Sequence, residues 1–170
     1  GKSNMYRLRR YQQWNGMPYK ERSLLKVFEN ITVKCKKENL PGIIISESHS
    51  LYKIVSSAKT SRGSNRLGII AACVYYACKE CGVPRSTNEL ASMFDIDSKV
   101  MTKGCKNYTE IMRMSKIDKS RSLDAKSIDL DDFIERFSHK LLLTSEDIKK
   151  ILQLSKICQD LKLINDNTPP

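Results

Sequence analysis

Residues 62–66 read Arg-Gly-Ser-Asn-Arg, and Lys99, Lys103 and Lys106 recur further on at i, i+4 and i+7, with Arg113 two turns beyond. The chemistry open to these groups is the recognition of polyanions. A guanidinium forks onto a phosphate or enters a minor groove, and Gly63 lets a backbone come close. Cations at helical spacing share one face and can meet successive phosphates. The same lysine row also suits the plain solvated face of an amphipathic helix, and Ser64 or Asn65 also suits a helix N-cap. Other chemistry has less support. Cys78-Lys-Glu-Cys81 has metal or redox spacing, but it closes an apolar helical run and no second Cys pair accompanies it. His49 and His139 lie far off with no ligand spacing, so core thiols are the better account. There is no phosphate-cradling glycine loop and no Cys/His nucleophile arrangement, and the acidic run Asp129, Asp131, Asp132 suits a helix N-terminus. No catalytic residue, metal ligand or small-molecule substrate is therefore assigned.

The charge balance points the same way. The 170 residues carry a net charge of +11, yet residues 128–170 hold six Lys/Arg against eight Asp/Glu, which leaves +13 on residues 1–127. A basic region of that size fits a nucleic-acid partner. Six cysteines sit mostly within apolar helical pattern with no signal peptide before them, which implies reduced thiols in a nuclear or cytosolic setting. The chain opens at Gly1 and closes on Pro169-Pro170, which suggests a piece of a longer protein.

Positioning these groups falls to an all-α fold. Residues 67–78 carry no charge, and a helix apolar on every side must be enclosed by other helices. It is too short for a bilayer, which needs about 20 apolar residues. Around it the spacing predicts a first helix from near Pro18 with Leu24, Phe28, Ile31 and Cys35 on one stripe, stopping before Pro41. A second runs from an N-cap at Ser46 to about Ala58. Gly82-Val83-Pro84 ends the central helix, Ser86 or Thr87 caps a short fourth one, and a fifth runs from Ser98 to about Lys116. Ala91 in the fourth helix packs against the fifth in a helix-turn-helix register, although Asp95 stands where glycine is common. Residues 1–17 are basic and aromatic (Arg7, Arg9, Arg10, Trp14) without a periodic apolar face, and read as an extended linker or docking segment. Residues 117–127 read as a linker. Two more helices follow, one around Phe133 and Phe137 and one from Ser145 to about Leu163, which makes seven with no convincing strand. Ser145-Glu146 after Leu142-Leu143-Thr144 faintly echoes Ser46-Glu47 after Leu40-Pro41, the mark of a repeat.

Taken together these strings resemble transcription initiation factor IIB and archaeal transcription factor B. Arg7-Leu-Arg-Arg-Tyr-Gln12 is similar to that family's linker segment, Glu21-Arg22-Ser-Leu-Leu25 to the start of its first core helix, and Asn39-Leu-Pro41 to that helix's end. Arg62-Gly63, the run from Ala71 to Cys78 and Gly82-Val-Pro-Arg85 resemble the most characteristic part of its first repeat. Arg136-Phe137 and the helix after Thr144 resemble the opening of the second. The resemblance implies a cyclin-like five-helix repeat over residues 18–116, a linker over 117–127, and the first two helices of a second, truncated repeat over 128–170. Residues 1–17 would be the basic linker. It also implies a non-enzymatic initiation factor that binds TATA-box-binding protein and promoter DNA and recruits RNA polymerase, without a membrane or small-molecule ligand. Arg62, Gly63, Ser64, Arg66, Lys99, Lys103 and Lys106 would face DNA. The family commonly has Arg directly after this glycine; here it is Ser64, so Arg62 or Arg66 would have to substitute. Arg7, Arg9, Arg10, Trp14, Arg22 and Arg85 would face polymerase or other partners. The family's zinc ribbon would lie upstream of Gly1, with no cofactor in this stretch. Location would be nuclear, or cytoplasmic for an archaeal source or a virus replicating there; the departures and the Lys/Asn/Ile-rich composition suggest a divergent, viral lineage. The alternative with the same helical fold is a cyclin proper, a kinase-activating partner.

Overall fold

A computed structural model describes residues 3–115 and 131–161. Among them are eight helices and no strand: α1 Asn4–Gly16, α2 Tyr19–Lys37, α3 Gly42–Ala58, α4 Gly63–Glu80, α5 Thr87–Phe94, α6 Ser98–Met114, α7 Asp131–Lys140 and α8 Ser145–Asp160. The uncharged run is the centre of α4, which is packed against α2, α3, α5 and α6. Ile69, Ile70, Ala71, Ala72, Cys73 and Val74 are all buried there. Burying each large aliphatic side chain contributes about 1.5–3 kcal/mol, so α4 is the element on which the others assemble. Enclosure is incomplete at one end. Leu67 is 40% exposed and borders two open hollows.

α4 and α6 meet with their backbones nearly touching. A Cβ built on Gly104 would lie 2.2 Å from the Gly68 carbonyl oxygen, and one on Gly68 would lie 2.6 Å from that of Val100. Only hydrogen side chains allow this approach. Eight residues along α4, Tyr76 stacks on Tyr108 of α6 with ring centroids 4.3 Å apart, and its hydroxyl shares a 3.0 Å hydrogen bond with Thr109. Met101, Tyr108, Ile111 and Met112 complete the buried stripe of α6.

Three sequence expectations change. Residues 4–16 are helical, not extended: Met, Arg, Leu and Gln favour helix, and no Pro or β-branched residue interrupts them. Ser46 caps nothing, since α3 starts at Gly42 behind Pro41 and the Ser46 hydroxyl donates to the Gly42 carbonyl inside the helix. The β-branched run Ile43-Ile44-Ile45 lies inside this helix because fully buried Ile44 packs into the core, and tertiary contact overrides a weak preference. Third, neither Ser64 nor Asn65 caps α4; Arg62 occupies the N-cap, and no side chain caps that end. Ser86, by contrast, caps α5 in a full capping box: its hydroxyl accepts from the Glu89 N–H at 3.2 Å and its own N–H donates to the Glu89 carboxylate at 2.9 Å. The linker expected over 117–127 and the continuation past Leu161 fall outside the described residues.

Four helices end in one way. Asn39, Gly82, Asp95 and Leu142 have φ of 53°, 71°, 56° and 56°. The next residue, Leu40, Val83, Ile96 or Leu143, donates its N–H to the carbonyl five residues back. This is the Schellman exit with its apolar follower. Asp95 thus adopts the left-handed conformation for which glycine is usual in such a turn, and its carboxylate accepts a 2.8 Å bond from the Lys34 ammonium, which also donates to the Met93 carbonyl. The recurrence also corrects the internal echo. Asn39-Leu40-Pro41 before Gly42 matches Leu142-Leu143-Thr144 before Ser145, so Ser145 pairs with Gly42 and not Ser46. Leu142 is 90% exposed, so its side chain adds almost nothing to set against the about 1 kcal/mol that a positive φ costs it. Leu142→Gly is expected to stabilise the α7–α8 joint by roughly 0.5–1 kcal/mol. Slower amide exchange across the two helices in the variant is the check, and faster exchange would refute it.

Candidate nucleic-acid interface

The first turn of α4 and the first turns of α6 lie at the same end of the bundle. Ser64 and Leu67 border one notch together with Asp97, Ser98 and Val100, and the Gly68–Gly104 crossing lies directly behind. Asp95 lines the same notch. Arg62, Gly63 and Ser64 are exposed at the start of α4, and Lys99, Lys103, Lys106 and Arg113 are exposed along the outer face of α6, opposite the buried stripe that packs on α4. Gly63 has φ +57° and opens α4, and its Cβ position faces open space, so glycine serves the backbone angle and not a steric gap. No side chain caps α4, so its first N–H groups have no side-chain acceptor. A helix N-terminus with free donors is favourable for an anion.

Arg66 stands apart from this group. Its Nε donates to the Tyr52 hydroxyl at 3.0 Å, and one Nη donates to the Ser23 hydroxyl at 2.7 Å and to the Ser23 carbonyl. It ties the start of α4 to α2 and α3. Arg22 lines a hollow next to it with Lys26, and the Arg22 Nε is buried with no hydrogen-bond partner. Arg7, Arg9 and Arg10 are exposed on α1; the Trp14 side chain lies outside the described residues. Arg85 faces elsewhere, 3.8 Å from Glu89.

Glu89 marks a contact that charge patterning did not reveal. Arg136 of α7 donates to both of its carboxylate oxygens and to the Pro84 carbonyl, while its guanidinium lies 4.8 Å from the centre of the Phe137 ring. Burial alone would raise the Glu89 carboxyl, but the bonds from Arg136 and the Ser86 N–H and the nearby Arg85 charge outweigh it and hold it below the usual value. The Ser-x-x-Glu spacing of the capping box was the available signal for Glu89; nothing in the sequence linked it to Arg136.

The core thiols Cys35, Cys78 and Cys105 are poorly suited to thiolate chemistry at neutral pH. Burial pushes the Cys78 thiol up to about 12 and those of Cys35 and Cys105 to about 11. All six are free, and among the described residues no three His, Cys, Asp or Glu side chains converge on a metal-binding arrangement. Nor is any described helix long and apolar enough to cross a membrane.

Comparison with known proteins fits this geometry. The family model described as the transcription factor TFIIB repeat matches residues 20–113, which span α2 to α6. The chain belongs to the TFIIB repeat family. A putative transcription initiation factor IIB-like protein of Acanthamoeba polyphaga mimivirus is 38% identical over 96% of this chain and 38% of its own length. Transcription initiation factor IIB of Encephalitozoon cuniculi is 28% identical over 99% of this chain and 51% of its own, and that of Xenopus laevis 29% over 94% and 48%. The chain thus spans about two fifths to one half of these relatives. The five helices of the TFIIB repeat are the all-α, cyclin-like unit that the sequence predicts, and α7 and α8 lie outside the matched stretch.

Proposed function

We propose that this chain is the core of a TFIIB-like initiation factor, a non-enzymatic protein that holds promoter DNA together with TATA-box-binding protein and helps recruit RNA polymerase. The observation that carries this reading is a TFIIB repeat that exposes two basic elements, the uncapped start of α4 with Arg62 and the lysine row Lys99, Lys103 and Lys106 on the outer face of α6. Arg62 and the lysines of α6 supply phosphate contacts, and the Gly63-Ser64 backbone closes on the groove. Ser64 offers no guanidinium of its own, and Arg66 is held internally, so Arg62 is the group left for minor-groove entry. The exposed arginines of α1 (Arg7, Arg9, Arg10) and Arg22 form the partner-facing set for polymerase. The protein would work where its template lies, in the nucleus or in the cytoplasm of an archaeal or cytoplasmic viral system.

In the same reading α7 and α8 open a second repeat. Their joint matches that of α2 and α3, and at the corrected register Leu154 stands where Leu51 does. Leu51 is fully buried beneath α4 and Leu154 is 60% exposed, the difference expected where, among the described residues, no helix like α4 covers the pair.

Fluorescence anisotropy with a TATA-containing duplex, with and without TATA-box-binding protein, tests the proposal. The chain alone should bind weakly with a steep salt dependence, and the ternary complex should form more tightly. With about four phosphate contacts the slope of log affinity against log salt should be roughly −3 to −4. Lys103→Glu/Lys106→Glu should weaken both complexes. Failure to form a ternary complex, with co-purification of a protein kinase instead, would mark the chain as a cyclin proper.

A further inference from the structure

The structure holds a cavity of about 390 Å³ between the start of α2, the end of α3 and the start of α4. We propose that this cavity seats one phosphodiester of the promoter strand, together with its deoxyribose. The inference rests on the reading that the start of α4 faces DNA, and it adds Lys20 and Lys59 to that surface.

Lys20, Lys59 and Arg62 are exposed at its rim, and Arg66 lies deeper, held by Tyr52 and Ser23. Among the described residues no Asp or Glu lines it. A cavity walled by four cations and no carboxylate has unbalanced positive charge, and an anion relieves it. Arg66, already bonded to neutral hydroxyls and a carbonyl, keeps its charge without neutralising it. The rest of the lining is split: Ser56, Thr60 and Ser61 offer hydroxyls near the rim, while Val55 and Ile69 are buried and give an apolar floor. That pairing suits a charged phosphate with a less polar sugar attached, and the volume is well above that of an inorganic ion. Position supplies the other half of the case. The cavity and the notch beside α6 flank the first turn of α4, so a strand crossing Gly63 passes from one to the other.

The test uses the full chain, TATA-box-binding protein and a TATA duplex, comparing the parent with Lys20→Gln/Lys59→Gln. Both lysines are exposed, so the variant should melt with the parent. Expected are a roughly tenfold loss of affinity at low salt and a salt slope shallower by about 0.9, the value of one phosphate. In addition, one methylphosphonate position that weakens binding by the parent should have no further effect on the variant, because the neutralised phosphate and the missing cations are then one contact. If the variant binds like the parent while Lys103→Gln/Lys106→Gln weakens binding, the cavity is unused and the wider reading survives. If the parent itself binds no DNA, both fall together.

Discussion

Gly104→Ala is expected to lower the stability of the TFIIB repeat by about 3 kcal/mol or more, the upper part of the overpacking range. In a domain of this size that corresponds to a fall in melting temperature of roughly 10–20 °C. The new methyl group would meet the Gly68 carbonyl oxygen, carbonyl carbon and Cα at 2.2, 2.3 and 2.8 Å. These are backbone atoms in the middle of a buried helix and cannot rotate away as a side chain would. Relief requires α4 and α6 to separate, which loosens the Tyr76–Tyr108 stack and uncovers Met101. Gly16→Ala is the control, since nothing lies within 4 Å of its Cβ position. A Gly104→Ala protein that melts within a degree or two of the parent would mean that the helices do not cross there.

Glu89→Ala should act on two elements at once. It removes the capping box of α5, which contributes about 1 kcal/mol, and strands the Arg136 guanidinium, which costs about 1–3 kcal/mol more. The summed loss is about 2–4 kcal/mol. Arg136→Ala should release α7 while leaving α5 capped, so hydrogen exchange separates the two contributions. In both variants α7 and α8 amides lose protection, and only Glu89→Ala also weakens α5. The pH dependence follows from the carboxyl's direction of shift. Glu89 is held below its ordinary value of 4.5 when folded. Its contribution is therefore complete above the unfolded value and disappears as pH falls through the folded one. Opening of α7 should accordingly set in below about pH 4.5 in the parent and be absent from the pH profile of Glu89→Gln. Unchanged α7 protection in both Arg136→Ala and Glu89→Ala would show that this pair does not hold the docking.

The core was legible because its signal is crude: twelve uncharged residues in a row can only be an enclosed helix, and the stripe from Met101 to Met112 told α6 which way to turn. Helix starts were harder. Pro41 and Arg62 begin α3 and α4 with no capping side chain, so no hydroxyl or carboxylate marked them, and the attractive serines at 46 and 64 misled. α1 escaped notice because it has no apolar face to betray it. The lysine row on α6 was visible as a period, whereas the cavity joins Lys20 of α2 to Lys59 and Arg62, some forty residues on, which only folding brings near it. For the same reason Arg66 looked like a free cation, although its bonds to Tyr52 and Ser23 span 14 and 43 residues.

The four matching helix exits bear on how far such a chain can drift. Each corner is turned by main-chain bonds around one left-handed residue, and Asn, Gly, Asp and Leu all fill that place here. A frame whose bends are written in amide groups leaves its outer side chains free to vary, so a lineage can exchange most of its visible surface, lysine for glutamate or polar for greasy, while the rods beneath keep their angles.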